Sequence, residues 1–151
     1  MKALLQRVTR ASVSVSGEEV GRIGRGLVVF VGVAQGDTEK DVRYLVQKTL
    51  DLRIFDDQDG KFNFSVLDIK GELLVVSQFT LMADTRRGRR PSFSDAAPPA
   101  EAEILFQSLV EQTRASGLKV ATGRFQQYML VEIHNDGPVT VLLDSGEKFG
   151  P

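Results

Sequence analysis

The chain has no cysteine. That one absence excludes disulfides, thiolate nucleophiles and cysteine-based zinc sites together. It has a single histidine, His134, so no metal cluster can be built on imidazoles. No metal and no cofactor is expected. No apolar run approaches the ~20 residues a membrane-crossing helix needs, and no membrane partner is expected. The opening Met1-Lys2-Ala3-Leu4-Leu5-Gln6-Arg7 is charged too soon for a signal peptide. A cytoplasmic location is the expectation. An excess of basic charge is missing too. The formal net charge of -1 excludes a globally basic nucleic-acid binder and leaves only a local patch.

Several catalytic kits are also missing. There is no Gly-x-Ser-x-Gly elbow and no phosphate-binding P-loop. Gly21-Arg22-Ile23-Gly24-Arg25-Gly26 is glycine-rich, but its spacing is not the dinucleotide fingerprint and no helix follows at once. It reads as hairpin turns. Asp56-Asp57-Gln58-Asp59-Gly60 imitates a calcium loop. Phe55 stands where the first ligand belongs and no glutamate closes the loop, so a hairpin turn is the better reading. His134 lies at a strand end in phase with Glu132 and reads as a surface or structural residue rather than a base.

What is present suits one soluble-type domain. The 151 residues, 42% apolar and 26% charged, suffice for a single core spanning 1–151. Lys2 to Ser16 contains two strand-like pieces, the second with strict valine–serine alternation. Gly17-Glu18-Glu19 turns the chain into a short strand, Val20 to Ile23. Leu27 to Val33 is an unbroken apolar run, a central strand. Asp37 or Thr38 caps a helix whose apolar face is Val42, Leu45, Val46, Thr49 and Leu50. Leu52 to Phe55 reads as a strand, and Phe62 to Ser65 as a strand or extended loop. Pro98-Pro99 starts a second helix, with Ala102, Leu105, Phe106, Leu109 and Thr113 inward and Gly117 at its end. Strands follow at Leu118–Ala121, Tyr128–Ile133 and Val139–Leu143. A turn is expected at Asn135–Pro138, and a loose polar tail from Asp144. Strands with two interposed helices predict a layered α/β domain with mixed strands.

One stretch organises the rest. Leu73-Leu74-Val75-Val76 reads as a strand buried on both faces. It switches abruptly to Ser77, Gln78, Phe79 and Thr80. Ser77 or Thr80 could serve as a nucleophile, but no general base is evident and a hydroxyl is weak without one. Backbone N–H groups left unpaired at the strand end are the other option, as holders of a developing oxyanion. Behind them comes Thr85-Arg86-Arg87-Gly88-Arg89-Arg90-Pro91. Arginine forks match phosphate geometry, so this loop is either an anion-binding arm or a solvated face.

Taken together these motifs resemble the D-aminoacyl-tRNA deacylases. Ser77-Gln78-Phe79-Thr80-Leu81, with Ala83-Asp84-Thr85 and the arginine loop behind it, looks like the first family signature. Asn135-Asp136-Gly137-Pro138-Val139-Thr140 looks like the second. The likeness runs from Gln6-Arg7-Val8-Thr9-Arg10-Ala11-Ser12-Val13 through Leu52–Phe55, Gly88–Phe93 and Ala121–Phe125 to Leu142–Ser145, nearly the whole chain. Gln126-Gln127-Tyr128 departs from it, where the family more often has small or acidic residues.

The resemblance implies a barrel-like core of mixed sheets with two main helices packed outside, an α/β/β layering. It implies hydrolysis of the ester of D-aminoacyl-tRNA, and clearance of glycyl-tRNA made on tRNA for alanine. It implies a homodimer with two sites at the subunit interface. Ser77, Gln78, Phe79 and Thr80 would lie against the ester and terminal adenosine. Gly137-Pro138, cis in the family, would reach into the partner's site and exclude L side chains. Arg86, Arg87, Arg89 and Arg90 would hold tRNA phosphates. The family reading favours help from the substrate's own 2′-hydroxyl over a covalent role for Thr80. Two other classes compete: an RNA-binding module without catalysis, and a structural dimer whose polar strand end only pairs hydrogen bonds.

Overall fold

The computed structural model describes residues 1–150. Its strands are β1 (Lys2–Val15), β2 (Glu18–Ile23), β3 (Gly26–Gly32), β4 (Phe55–Asp56), β5 (Phe62–Phe64), β6 (Glu72–Ser77), β7 (Val120–Thr122) and β8 (Leu130–Asp144). Its helices are α1 (Glu39–Asp51), α2 (Pro99–Arg114) and α3 (Ser145–Phe149), with a 3-10 helix at Phe79–Met82. The main sheet has six strands in the order β2-β1-β3-β6-β7, and β8 pairs with β1. The β3–β6 and β6–β7 pairs are parallel. Parallel neighbours need a crossover, and α1 and α2 are the two crossovers.

The unbroken apolar runs have a simple cause: both faces of β3 and β6 are covered. Leu27, Val29, Val31, Leu73 and Val75 face one core, shared with Val42, Leu45 and Val46 of α1 and Phe106, Leu109 and Val110 of α2. The alternate residues Val28, Leu74 and Val76 face a second core with Val8, Ala11, Val13 and Ile23. β1 supplies both cores because it bends. Its pairing with β8 shifts register between Gln6 and Val8 and again between Val8 and Arg10. Past that irregularity the strand folds over the face opposite the helices. The mixed sheet thus becomes nearly closed and barrel-like, with α1 and α2 outside, as expected.

Four expectations need correction. Lys2–Val15 is one bent strand, not two pieces. Asn135–Pro138 does not reverse the chain: residues on either side pair with β1, Asn135 with Val8 and Thr140 with Gln6. Tyr128–Ile133 and Val139–Leu143 are therefore parts of the single strand β8. Only Phe55–Asp56 of the Leu52–Phe55 segment is strand, because its partner β5 is equally short and the pair forms a separate two-stranded sheet. The tail is not loose either. Ser145 is fully buried; its hydroxyl accepts from the Met1 amine at 3.0 Å and donates to Asp41 at 2.7 Å.

Thr38 is the N-cap of α1, and Asp41 reaches back to accept its N–H at 2.9 Å. Burial works against the Asp41 charge, but Ser145, Thr38 and the Met1 amine hold the carboxyl below its ordinary value. No helix of the described residues is long and apolar enough to cross a membrane.

Candidate functional site

Strands β3, β6 and β7 run parallel and end on one side of the molecule. In such sheets the groove beyond the strands' carboxyl ends is where ligands bind. β6 ends at Ser77, paired with Val31. Gln78 makes one last bond, its N–H to the Val31 carbonyl at 2.8 Å. The chain then tightens into the 3-10 helix Phe79–Met82, so the strand does not continue to Leu81. A 3-10 helix bonds each N–H to the carbonyl three residues back, and its first donors are left over. The Leu81 N–H returns to Gln78 and the Ala83 N–H to Thr80, each at 3.2 Å. The N–H groups of Phe79 and Thr80 have no acceptor among the described residues.

Gly32 makes this turn fit. A Cβ there would stand 2.9 Å from Met82 Cε, 3.0 Å from Leu81 Cβ and 3.1 Å from the Gln78 carbonyl. Thr80 is exposed, and its hydroxyl oxygen accepts a hydrogen bond from the Gln78 side-chain amide. Among the described residues no carboxylate or imidazole bonds Ser77 or Thr80. His134 is occupied with Glu132 at 2.9 Å on β8. Neither hydroxyl therefore has a general base, which weakens the nucleophile option and leaves the open N–H pair as the site's main chemical feature. Phe79 is 58% exposed and meets Phe93 edge-on at 4.9 Å, an aromatic wall beside those donors.

The arginine loop is closed at its neck. Asp84 and Ser92 exchange backbone hydrogen bonds at 2.8 and 2.9 Å. Arg86 turns back on Asp84 as a fork, Nε to Oδ1 at 2.9 Å and Nη2 to Oδ2 at 2.7 Å. Those bonds hold the Asp84 carboxyl down at about 2. Arg86 is thus partly a strut. Arg87, Arg89 and Arg90 are exposed and make no ion pair among the described residues. Sequence alone makes the four arginines look alike; the structure separates one from three.

Gly137 and Pro138 are exposed in the interruption of β8, and the bond between them is cis. Asn135 bridges the gap: its Oδ1 accepts from the Val139 N–H at 2.8 Å and its Nδ2 donates to Thr140 Oγ1 at 3.0 Å. Gly137 has φ +134°, and a Cβ there would meet Val139 Cγ2 at 2.8 Å and Arg7 Nη2 at 3.1 Å. Arg7 is a residue that sequence reasoning does not single out. It is only 6% exposed, and its Nε donates to the Asp136 carbonyl at 3.0 Å. The signal was available: Arg7 falls in phase with the buried Ala3 and Leu5, and a buried guanidinium needs partners.

The Ser77–Thr80 segment and Gly137-Pro138 do not meet within one chain. Ser77 pairs with Val31 and Val31 with Ala3, whereas Gly137 lies against Arg7. Three strand spacings and four residue rises separate them, roughly 15–20 Å by standard strand geometry. Two open clefts, about 360 and 520 Å³, lie elsewhere, at Arg53–Ile69 and along α2.

Comparison with known proteins places the chain. The family described as D-Tyr-tRNA(Tyr) deacylase matches residues 4–144. The chain belongs to that family. A relative from Dehalococcoides mccartyi (strain CBDB1), named D-aminoacyl-tRNA deacylase, is 58% identical over 151 residues, 100% of this chain and 99% of the relative. One of the same name from Fervidobacterium nodosum is 56% identical over 149 residues, 99% of this chain and 100% of the relative. Among solved structures, the c-Myc DNA Unwinding Element Binding Protein superposes with a TM-score of 0.91 at 46% identity, covering 96% of this chain and 99% of its own. A probable eukaryotic D-amino acid tRNA deacylase shares the fold, with a TM-score of 0.84 at 17% identity over 94% of this chain and 97% of its own. The matched residues include both Ser77–Thr80 and Gly137-Pro138.

Proposed function

We propose that the chain hydrolyses the ester linking a D-amino acid to the 3′ end of tRNA, releasing free D-amino acid and tRNA. The observation that carries this reading is the pair of unoccupied N–H donors at Phe79 and Thr80, with no activated nucleophile beside them. An aminoacyl ester is already reactive. Positioning and oxyanion stabilisation then suffice. Water adds to the ester carbonyl, the anion that forms on the carbonyl oxygen sits against the two N–H groups, and the ribose oxygen leaves with a proton. The substrate's 2′-hydroxyl helps place the water. Thr80, held by Gln78, positions rather than attacks.

Selection falls to Gly137-Pro138. An L and a D substrate differ only in where one side chain points, so a wall discriminates better than an attraction. Glycine passes the same wall, and glycyl-tRNA for alanine is proposed as a second substrate. The wall stands too far from its own Phe79 and Thr80 to touch the same ester, so a second copy must supply it. That supports a two-fold homodimer with composite sites. An apolar row across the sheet, Leu142–Leu4–Phe30, follows from direct pairing; Leu142 is 54% exposed and Leu4 and Phe30 are half-buried, a surface suited to such contact. Arg87, Arg89 and Arg90 serve as the phosphate arm. The place of work is the cytoplasm, where aminoacyl-tRNA is made and used.

The test is hydrolysis of D- and L-tyrosyl-tRNA and of glycyl-tRNA by the purified protein. Rapid loss of the D and glycyl esters with the L ester spared is expected. Equal rates on D and L, or no turnover, would overturn the reading. No turnover with salt-sensitive nucleic-acid binding would favour a binding module. The three exposed arginines and the name of the 46% identical structural relative speak for that alternative.

A further inference from the structure

The β4–β5 hairpin takes part in no step of the proposed reaction, yet Arg7 ties it to the selecting wall. Arg7 Nη1 donates to the Ile54 carbonyl at 2.9 Å and to Asp56 Oδ1 at 3.3 Å. The same guanidinium bonds the Asp136 carbonyl through Nε, and its Nη2 fills the space beside Gly137, 3.1 Å from where a Cβ would stand. A guanidinium is planar and rigid. Its hairpin edge cannot shift without moving the edge that bonds Asp136 and stands beside Gly137.

One face of that plane is covered. The Phe62 ring centroid lies 5.7 Å from Arg7 Cζ, within cation–π range. Phe62 is otherwise a poor structural residue. It is 55% exposed and sits in a three-residue strand of a separate two-stranded sheet, which is marginal by itself. The hairpin is rooted by Phe55 and Ile54, 1% and 5% exposed, not by Phe62. The acidic partners of Arg7 are Asp56 and Asp136, 44% and 47% exposed, one on each side of it.

We propose that Phe62 and Asp56 are positioning residues for Gly137-Pro138, acting through Arg7 to set how strictly D and L substrates are told apart. This inference rests on the deacylase reading above. Asp56 anchors one edge of the guanidinium, and Phe62 closes its face against water and against tilting. Without the ring, Arg7 gains other poses and the backbone wall loses its fixed place. The hydrolytic donors at Phe79 and Thr80 belong to another part of the chain, so discrimination suffers before chemistry does.

The experiment compares Phe62→Ala, Phe62→Leu, Phe62→Tyr and Asp56→Asn with the unaltered protein, reading the ratio of kcat/KM on L- and D-tyrosyl-tRNA together with Tm. Phe62→Ala and Phe62→Leu are expected to raise the L/D ratio about tenfold, the scale of a partly desolvated cation–π interaction. Asp56→Asn should raise it severalfold, and Phe62→Tyr, which keeps the ring, should hold it. An unchanged ratio in Phe62→Leu would overturn the proposal. So would a rise in Phe62→Tyr equal to that in Phe62→Leu. Should Phe62→Ala fail to fold, the Leu and Tyr variants still decide. Absence of turnover in the unaltered protein would sink the deacylase reading alone. The Arg7 Nε–H and Gly137 amide resonances then test the brace directly: both should move in Phe62→Leu and stay in Phe62→Tyr, and no movement in Phe62→Leu defeats it.

Discussion

Gly137 has room for a hydrogen and nothing larger. Its φ of +134° lies outside the range L side chains favour, and Val139 and Arg7 crowd the space a methyl would take. Gly137→Ala must therefore shift the wall, at a strain of order 1–3 kcal/mol. Turnover of the D substrate, measured as kcat/KM, should fall at least tenfold. Thr80 is the opposite case. The backbone donors survive a change of side chain, so Thr80→Ala should lose less than the ~100- to 1,000-fold that follows removal of an oxyanion donor. A larger loss, or an acyl-enzyme trapped at Thr80, would assign the hydroxyl a covalent role.

At the scale of elements, the arginine loop and the tail make separate claims. The Arg86 fork beside the loop's neck depends on Asp84 staying charged. Its folded value of about 2 is below the ordinary ~3.9 of an unfolded aspartate. The stabilisation is therefore complete above about pH 4 and lost as pH falls through about 2. The carboxyl carbon of Asp84 and Arg86 Nε–H, followed by NMR, should change together in that window and be flat above pH 5. Changing Arg87, Arg89 and Arg90 to alanine should weaken all tRNAs alike and flatten the salt dependence, by a log–log slope of roughly 0.7–0.9 for each phosphate no longer neutralised. Unaltered affinity and slope would make the loop a solvated face. Ser145→Ala leaves the buried Asp41 and Met1 amine each short of a partner. A loss of about 1–3 kcal/mol in denaturant unfolding is expected.

The whole molecule raises the question of completeness. Each chain carries the Phe79 and Thr80 donors at one end of its sheet and Gly137-Pro138, the proposed wall, at another, with the partly exposed apolar row Leu142–Leu4–Phe30 across the strands. Sedimentation should find a dimer at assay concentration; an active monomer would remove the composite-site idea. Mixing subunits tests it further. A Gly137→Ala chain retains intact donors, and a Gly32→Leu chain, whose 3-10 turn cannot seat, retains an intact wall. Random exchange of the two gives half heterodimers, each with one intact site of two, so about a quarter of normal activity should return. No recovery would mean that each chain works alone.

Much of this molecule is written in local pattern. Unbroken runs at Leu27–Val33 and Leu73–Val76 declared strands covered on both faces, and three-four spacing declared α1 and α2, because burial acts directly on side-chain periodicity. The chemistry of Ser77–Thr80 and the signature around Gly137 were legible as residue types at fixed spacing. What spacing cannot state is which strand lies beside which. β1 and β8 each proved to be one bent strand, since pairing with a partner far along the chain overrides the local turn signal at Asn135–Pro138. Ser145 joined the core because Met1 and Asp41 needed its hydroxyl. Arg7 came to bond Asp136 and Asp56, under the Phe62 ring, only when residues roughly 50 and 130 positions away met it across the sheet. Sequence determined the elements and the reactive groups by short-range periodicity and chemistry. Tertiary structure alone decided that the Phe79 and Thr80 donors and Gly137-Pro138 stand apart, because that separation is set by long-range strand order.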